Sequence, residues 1–492
     1  MAKAPIQQPA FGFRGKRTPT SFATGERYAF RENNQFRATR LSPLSTFSVD
    51  VDTASYSNVR RMIEGKIEVP KGAVRIEEMV NYFDYDYPAP QNGLPFSVAS
   101  EVASCPWKPR HQLVRVALSG KEMKTEDRPS ATLVFLVDVS GSMGSENKLP
   151  LLKRSLLMLA NQMRADDRIA VVVYAGSSGI ALPSTPCSEL DTIHEAMDRL
   201  QSGGSTAGGA GIELAYRVAK ENFQRDGINR VILATDGDFN VGPSSDSALV
   251  DLIEEKAKSG IYLSVLGFGM GNYNDSMLEK LSGKGNGNYA YIDTLNEARK
   301  VMVEETAGTL MTIAKDVKIQ VEFNPAKVRA YRLIGYENRI LEDRDFSDDK
   351  KDAGEIGAGH QVTAFYEIVP RGVPFSQPEA ENLRYQDTEE SFREEAMTEE
   401  LMTVKLRYKE PEGRNSELVS FPIEDSDCSF AKASSDFRFA TAVAAFGMRL
   451  RDSPHAGQTT RRDILVWSQE GARKDPLGLR EEFRDLVRRS SI

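Results

Sequence analysis

Residues 132–142 read TLVFLVDVSGS, a continuous apolar run that passes directly into a row of oxygen-bearing side chains. A short apolar run rich in β-branched residues is typical of a strand that is buried on both faces of a parallel sheet. Because this run ends at Val137, the side chains of Asp138, Ser140 and Ser142 fall on the loop at its carboxyl end. In sheets of this kind, ligands bind at the carboxyl ends of the strands.

The sequence that follows alternates between buried strands and amphipathic helices. We predict strands at 168–174, 231–235, 261–266 and 289–292, and helices at 148–164, 189–200, 211–223, 246–258, 275–281 and 295–313. Strands that alternate with helices form βαβ units, in which a mostly parallel sheet carries helices on both faces. We therefore expect residues 130–313 to form one doubly wound α/β domain.

On both sides of this central domain the apolar pattern changes to period two, which is typical of half-buried antiparallel strands. The pattern occurs at 96–104, 112–118, 317–323, 330–336, 361–368 and 402–408. Residues 41–129 and 314–425 are therefore predicted to share a β-sandwich or α+β module into which the central domain is inserted. Residues 426–492 are predicted to be helical. Residues 1–40, with a net charge of +6, are predicted to form a flexible basic leader.

Three loops are predicted to bring oxygen ligands to one edge of the central sheet. Asp236 directly follows the strand at 231–235, so it reaches the same edge as Asp138, and Thr206 lies in the glycine-rich loop 203–209. Hydroxyl and carboxylate ligands suit Mg²⁺, Mn²⁺ or Ca²⁺ and not zinc. If the hydroxyls touch the ion and the aspartates act largely through water, the ion keeps most of its charge. It then attracts a Glu or Asp of a partner.

The spacing Asp138-x-Ser140-x-Ser142 resembles the metal-ion-dependent adhesion site of von Willebrand factor type A domains, whose fold is Rossmann-like. Thr206 and Asp236 stand where that site has its remaining ligands. The resemblance implies that Ser140, Ser142 and Thr206 touch a divalent cation, Mg²⁺ or else Mn²⁺ or Ca²⁺. Asp138 and Asp236 would then lie mainly behind them. A protein ligand that presents Asp or Glu to the metal follows from the same resemblance.

The flanking sequence extends this resemblance to roughly residues 41–492. Segments 45–56, 353–360 and 433–440 are similar to bacterial proteins with the same N-terminal module, central type A domain and C-terminal module. Many of those proteins are exported lipoproteins, so the resemblance favours the cell envelope over the cytoplasm. The first residues of this chain, however, lack the apolar core of a secretory signal. No run of apolar residues is long enough to predict a transmembrane segment.

Composition excludes several classes of function. A net charge of −8 and a pI near 5.4 argue against nucleic acid as the main partner, since a nucleic-acid-binding protein normally has a basic face. Three widely spaced cysteines without a CxxC pattern argue against a zinc cluster and against a disulfide framework. Neither the oligomeric state nor the identity of a partner can be predicted from the sequence.

Other interpretations of the motif remain open at this stage. Ser140 and Ser142 could cap the helix that follows them. The segment that starts at Asp236 resembles the start of an EF-hand loop, but Val241 occupies the position that requires glycine. None of the four histidines lies in the site loops, so a metal-dependent hydrolase lacks an obvious histidine base, and we predict no enzyme.

We therefore predict a metal-dependent adhesion or scaffold protein. The alternative is an adaptor for a separate AAA+ ATPase in remodelling or metal insertion, since this chain contains no P-loop.

Overall fold

The computed structural model describes residues 25–204, 208–237, 246–271, 273–349, 351, 353–375, 394–411, 413, 415–469 and 475–492. Its strands are, in chain order, β1 (Arg37–Ala38), β2 (Leu44–Ser48), β3 (Phe96–Ser104), β4 (Gln112–Gly120), β5 (Ala131–Asp138), β6 (Arg168–Tyr174), β7 (Ser178–Pro186), β8 (Ile228–Thr235), β9 (Tyr262–Phe268), β10 (Tyr289–Ile292), β11 (Thr312–Phe323), β12 (Val328–Ile334), β13 (Ile356–Gly357), β14 (Gln361–Pro370), β15 (Glu400–Lys409) and β16 (Glu417–Glu424). Its α-helices are α1 (Ala54–Glu64), α2 (Ile76–Val80), α3 (Leu149–Ala160), α4 (Leu190–Arg199), α5 (Gly208–Glu221), α6 (Asp246–Ala257), α7 (Asp275–Lys284), α8 (Leu295–Arg299), α9 (Thr306–Leu310), α10 (Ser435–Leu450), α11 (Arg461–Trp467) and α12 (Leu479–Arg489).

The central sheet has the strand order β10-β9-β8-β5-β6-β7. All its pairings are parallel except that of β6 with β7, which is antiparallel. The strand order reverses beside β5, because the chain first continues to β6 on one side and later returns to β8 on the other. That reversal is the position at which doubly wound sheets bind ligands.

Both faces of the central sheet are covered by helices. Leu133, Phe135 and Val137 of β5 belong to a core that includes residues of α3, α4 and α8. Val134 and Leu136 point to the opposite face, where the core includes residues of α5, α6 and α7. A strand buried on both sides must be apolar throughout, which is the pattern of β5. The predicted doubly wound, mostly parallel α/β domain is confirmed.

Two antiparallel sheets flank the central domain. Their strand orders are β1-β12-β14-β4-β3 and β13-β11-β15-β16, with β2 paired to β11. Each sheet thus joins strands that precede the central domain to strands that follow it. The apolar residues of both sheets share one core, with Val114, Val116 and Leu118 on β4, and Val317 and Ile319 on β11. The predicted insertion of the central domain into a flanking antiparallel module is confirmed.

The helices at the two ends of the chain also pack together. Residues of α1 and α2 share a core with residues of α10, α11 and α12. Within it, the rings of Phe83 and Phe439 lie 4.9 Å apart, and those of Phe439 and Phe483 lie 5.6 Å apart. Ser434 caps the N-terminus of α10, because its side chain accepts a hydrogen bond from the amide of Phe437.

The flexible leader expected over residues 1–40 is wrong for its described part. From residue 25 onward the chain lies against the folded body, because β1 pairs with β12 and Asn34 Nδ2 donates to the carbonyl oxygen of Gly335 at 2.7 Å. Glu26 also pairs with Arg61 of α1 at 2.9 Å. These side chains find specific partners, so the positive charge of the segment did not imply a solvated tail. Residues 1–24 lie outside the described part.

The single long helix predicted over 295–313 is also wrong. The segment divides into α8, a π-helical stretch at Lys300–Glu304, and α9, and β11 already starts at Thr312. Lys300 is buried within the π-helical stretch, 4.4 Å from the ring centroid of Tyr82 and paired with Glu305. Apolar periodicity does not reveal such a change of helix type. The sequence pattern also missed β7 and β16.

Across the described part of the chain, no helix has both the length and the apolar character that crossing a membrane requires.

Candidate metal centre at the carboxyl edge of the central sheet

Asp138 ends β5 and is completely buried. Its Oδ1 accepts a hydrogen bond from the backbone amide of Ser140 at 2.8 Å. Its Oδ2 accepts from the hydroxyl of Tyr174 at 3.2 Å and from that of Thr235 at 3.4 Å. Tyr174 ends β6 and Thr235 ends β8, so both neighbouring strands orient this carboxylate. The sequence motif did not reveal these two hydroxyl donors.

The two serines of the motif lie together in the loop after β5. The Ser140 and Ser142 hydroxyls are 3.0 Å apart. Ser140 is buried, whereas Ser142 is exposed at the start of a 3-10 turn over Gly141–Gly144. A buried hydroxyl beside an exposed one gives a ligand pair that solvent can reach from one side only.

A second loop supports this turn. The amide of Gly141 donates to the carbonyl oxygen of Gly204 at 3.0 Å, and the amide of Gly203 donates to the carbonyl oxygen of Val139 at 2.7 Å. The glycine-rich loop predicted to join the site therefore does reach it. Thr206, the predicted hydroxyl ligand in that loop, lies outside the described residues.

Asp236 follows β8 and is buried at the same edge of the sheet. Its Oδ2 accepts a hydrogen bond from Lys148 Nζ at 2.8 Å. Gly237 comes next with φ +87°, where a Cβ would lie 2.8 Å from the ring of Tyr273. Only glycine tolerates both this backbone conformation and this close packing, so the position of Asp236 is tightly constrained.

Lys148 is a third donor to the site that the sequence does not predict. The apolar spacing includes it in the helix predicted over 148–164, whereas it precedes α3 and is buried with its ammonium group on Asp236. A Cβ at Gly269 would lie only 2.3 Å from Lys148 Cε, so this glycine leaves the space that the lysine occupies. Lysine is rarely buried without a charged partner, but a single sequence gives no sign of its burial.

The electrostatics of this edge favour a cation. Burial raises the pKa of Asp138, and the nearby charge of Asp236 raises it further, whereas the hydrogen bonds from Ser140 and Tyr174 lower it. All the donors to Asp138 that are described above are neutral. An additional positive charge would therefore stabilise both carboxylates in their ionised form.

We refer to Asp138, Ser140, Ser142 and Asp236 as the carboxyl-edge site. Its donors are oxygens only, and its paired hydroxyls stand in front of buried carboxylates. This donor chemistry fits a hard divalent cation such as Mg²⁺ and does not fit zinc. Lys148 partly offsets the negative charge that such an ion would meet.

A groove of about 470 Å³ adjoins the site. It starts at Gly144 of the 3-10 turn and runs between α3 and the end of α4. Its lining residues are Gly144, Glu146, Leu149, Pro150, Lys153, Arg154, Leu157, Asp198, Leu200, Gln201 and Ser202. The combination of apolar and charged side chains beside the candidate metal ligands is suited to contact with a polypeptide.

A second group of acids lies elsewhere, where the central domain meets both flanking segments. Carboxylate oxygens of Asp52, Glu78 and Glu279 lie within 4.8 Å of one another. Arg339 donates to Asp52 at 3.2 Å and pairs with Glu279 at 3.3 Å, while Arg75 forms a two-bond contact with Glu78. We call these five residues the junction cluster. Its carboxylates already have guanidinium partners, so the cluster has little need of a metal ion.

Three family models match different parts of the chain. The model described as "von Willebrand factor type A domain" matches residues 132–304. The model described as "von Willebrand factor" matches residues 23–115. The model described as "Uncharacterized protein YfbK, C-terminal" matches residues 308–492. All the residues predicted as metal ligands fall within the type A match.

Individual proteins are similar over different lengths. The chain is 43% identical to the YfbK protein of Escherichia coli K12 over 490 residues, which cover 98% of this chain and 84% of that protein. It is 27% identical to inter-alpha-trypsin inhibitor heavy chain H3 of Bos taurus over 192 residues, 37% of this chain and 21% of that one. The solved von Willebrand factor type A structure from Catenulispora acidiphila is 15% identical, covers 81% of this chain and 90% of its own, and superposes with a TM-score of 0.42.

Proposed function

This chain belongs to the YfbK family of bacterial proteins and carries a von Willebrand factor type A domain, and from that premise we propose that the domain captures an acidic residue of a protein partner through a divalent cation. The observation that carries the proposal is the carboxyl-edge site. Four oxygen-bearing side chains gather there, at the strand-order reversal where doubly wound sheets bind ligands. Protein interaction is the typical role of this domain.

Each residue of the carboxyl-edge site has a distinct part in the proposal. Ser140 and Ser142 hold the cation with their neutral hydroxyls. Asp138 and Asp236 orient the hydroxyls and bound water from behind, and so leave the cation a net positive charge. Held in this way, Mg²⁺, or else Mn²⁺ or Ca²⁺, supplies an attractive site for a carboxylate.

A binding role is favoured over catalysis by the positions of the histidines. His111 contacts Glu367, and His455 packs against Phe36. Of the other two, His360 precedes β14 and His194 lies on α4. None of them is on the loops after β5 or β8, where a general base would have to stand. We therefore propose that the domain is not an enzyme.

The groove beside the site extends the proposed contact. A partner segment that presents Asp or Glu to the cation would continue over Leu149 and Pro150 and reach the positive side chains of Lys153 and Arg154. Glu146 and Asp198 line the same groove, so its charged side chains are of both signs and suit a partner segment with charges of both signs.

The experiment that tests the proposal measures metal binding and partner capture with the same variants. Calorimetry with Mg²⁺ and Mn²⁺ should detect binding to the full chain and lose it in Asp138→Ala. Immobilised wild-type chain should retain a partner that EDTA releases, whereas Asp138→Ala should not retain it. Asp191→Ala removes an exposed acid from α4 of the same domain and should behave as wild type.

Two outcomes would end the proposal. Unchanged metal affinity in Asp138→Ala would remove the metal from this site. Capture that survives EDTA would show that partner binding does not depend on the metal.

The identity of the retained protein decides between the two roles. If it is an AAA+ ATPase, the role is that of an adaptor; if it is an envelope protein, the role is adhesion or scaffolding. A partner with its contacting Asp or Glu changed to the amide should no longer bind.

We also propose the cell envelope as the compartment, on the basis of the resemblance of the flanking modules to exported bacterial proteins. Fractionation of cells that express the full reading frame tests this location. Recovery of the protein in the cytoplasmic fraction alone would contradict it.

A further inference from the structure

A cavity of about 570 Å³ lies at the amino edge of the central sheet, opposite the metal centre. Arg230 near the start of β8 and residues 286–288 before β10 form its inner wall. The α7 helix forms one side, and Thr312 and Glu355 of the flanking segment form another. The cavity therefore lies at the junction between the central domain and its flanking module.

Arg230 stands out among the charged residues of this cavity. It is 2% exposed, and its Nη1 donates to the hydroxyl of Ser264 at 2.7 Å. Its Nε is buried without an acceptor. Within the described part of the chain, no carboxylate oxygen lies within 4 Å of the guanidinium. Its Cζ lies 5.8 Å from the ring centroid of Tyr262, a contact that compensates for only part of the lost hydration.

Three other arginines of the cavity have carboxylate partners. Arg75 pairs with Asp275, Arg339 pairs with Asp50 at 2.8 Å, and Arg451 pairs with Glu337 at 3.1 Å. Glu355 is the carboxylate whose charge acts on Arg230, but its two oxygens accept hydrogen bonds from Asn286 and Thr312. Burial lowers the pKa of Arg230, and the charge of Glu355 opposes this only in part.

A buried cation without a direct ion pair is costly, because the protein replaces only part of its hydration and of its counter-charge. A fold dominated by paired arginines would gain stability by replacing this one with an apolar side chain of similar length. Arginine is also the side chain best suited to a planar or tetrahedral oxyanion, since its donors match carboxylate and phosphate geometry. The charge of Arg230 and the cavity beside it thus both indicate an oxyanion ligand.

We propose that this cavity binds a small oxyanion, a carboxylate or phosphate group that forms an ion pair with the guanidinium of Arg230. Ser264 holds one end of the guanidinium, so the side chain is oriented before the ligand arrives. Asn286 and Thr312 line the same cavity and donate to Glu355, so they hold this carboxylate on their own side of the cavity. The positive side chain of Lys280, on the α7 wall, adds a long-range attraction for anions.

The test uses the full chain with inorganic phosphate and acetate as probes, and chloride at equal ionic strength as the reference. The chain is freed of metal on a chelating resin beforehand and titrated without a soluble chelator, so a failure of the metal site cannot affect the titrations. Calorimetry should detect at least one of the two oxyanions, and the preferred probe distinguishes phosphate chemistry from carboxylate chemistry. Arg230→Met should weaken that binding at least about tenfold. Lys280→Met, which removes a charge from the same wall without touching Arg230, should change it much less.

Thermal unfolding separates a ligand-binding role from a structural one. If Arg230 serves a ligand, Arg230→Met should unfold at the same temperature as wild type or higher, and only wild type should be stabilised by the oxyanion. Arg230→Lys keeps the charge but loses the planar donor set, so it should fold and bind more weakly than wild type. No binding of either probe to wild type, or equal binding to Arg230→Met and Arg230→Lys, would overturn the proposal. A lower unfolding temperature of Arg230→Met without ligand would assign the residue a structural role and would overturn it as well.

Discussion

The carboxyl-edge site and the junction cluster both bury carboxylates, but they balance the negative charge in different ways. In the junction cluster, Arg75 and Arg339 form ion pairs with all three carboxylates. In the carboxyl-edge site, Lys148 pairs with Asp236, but Asp138 accepts only from one backbone amide and two hydroxyls, all of them neutral donors. Proximity of acids alone therefore does not identify a metal site. The charge of their hydrogen-bond donors decides whether a cation is still needed.

The two groups also differ in what they connect. The junction cluster joins α2 and the segment after β2 to α7 of the central domain and to the loop after β12. It therefore holds three parts of the chain together. The carboxyl-edge site connects only loops of one sheet and has an exposed side. A closed, internally neutralised cluster suits a structural role, whereas an open one suits ligand binding.

The largest expected effect is on stability, at the junction cluster. Arg75→Met should lower the free energy of unfolding by about 3–5 kcal/mol, because it leaves Glu78 and Asp275 buried without their counter-charge. Urea denaturation measures this loss. Arg199→Met breaks an ion pair with Glu195 that is almost fully exposed, and should cost less than about 1 kcal/mol.

Adding Mg²⁺ to Arg75→Met tests the contrast between the junction cluster and the carboxyl-edge site further. If arginines balance the junction cluster, adding Mg²⁺ should not restore the stability of Arg75→Met. Recovery on addition of Mg²⁺ would mean that a metal ion can take the place of Arg75, and the distinction between the two acidic groups would fail. Equal losses of stability in Arg75→Met and Arg199→Met would also contradict the distinction, because the buried ion pairs would then contribute no more than the exposed one.

The next effect is on metal affinity at the carboxyl-edge site. Asp138→Asn should weaken Mg²⁺ or Mn²⁺ binding by about 10- to 100-fold, since a carboxylate that orients the ligands and stabilises the ion is lost. The unfolding temperature without metal should not fall, because burial of Asp138 already disfavours its charged form. Calorimetry and thermal unfolding measure the two quantities.

Glu279→Gln is the matched change in the junction cluster. It also replaces a largely buried carboxylate with its amide, and it should leave metal affinity unchanged. A loss of affinity in Glu279→Gln equal to that in Asp138→Asn would show that the ion binds at the junction.

The sequence predicted those candidate site residues that lie close together along the chain or follow strands at the same edge of the central sheet. A buried strand followed by Asp138, Ser140 and Ser142 is a local pattern, and Asp236 follows a neighbouring strand, so parallel topology alone brings them together. Local periodicity equally predicted the doubly wound sheet and most flanking strands.

The remaining features depend on contacts between distant segments. Asp52, Glu279 and Arg339 meet only because three modules dock, and no periodicity specifies which charged faces will meet. Lys148 was missed because its partner lies 88 residues away and the space for it is made by Gly269. Sequence patterns thus predict the helices and strands and the residues at the carboxyl edge of the central sheet. They do not predict how buried charges are balanced.

The pH dependence of stability offers a smaller effect. Burial raises the pKa of Glu78 to about 7 despite the opposing charge of Arg75, whereas its ordinary value is 4.5. Between these pH values the folded chain holds a proton that the unfolded chain has released. The free energy of unfolding should therefore fall as pH rises from about 4.5 to about 7. Urea denaturation of Glu78→Gln across this range should lack that contribution.

Glu367 provides an internal comparison of opposite sign. Although burial alone would raise its pKa, the hydrogen bond with His111 and the charge of Arg332 lower it to about 2. The contribution of ionised Glu367 to stability should be present above pH 4.5 and be lost as pH falls towards 2.

If the stability of Glu78→Gln depends on pH between 4.5 and 7 in the same way as that of wild type, the pKa of Glu78 is not raised.

The smallest expected effect concerns Lys148, the cationic side chain within the carboxyl-edge site. If its ammonium competes with the cation for Asp236, Lys148→Met should strengthen Mg²⁺ binding by up to about tenfold. The gain stays modest because a lysine can move aside and because the site is partly open to water. Lys153→Met removes a charge from α3, the helix that Lys148 precedes. The Lys153 ammonium donates to backbone carbonyl oxygens and not to Asp236, so this change should alter affinity little. Weaker binding in Lys148→Met would mean that the lysine holds Asp236 in the binding position. The carboxyl-edge site would then resemble the junction cluster, in which an internal cation is part of the structure and not a competitor of the ligand.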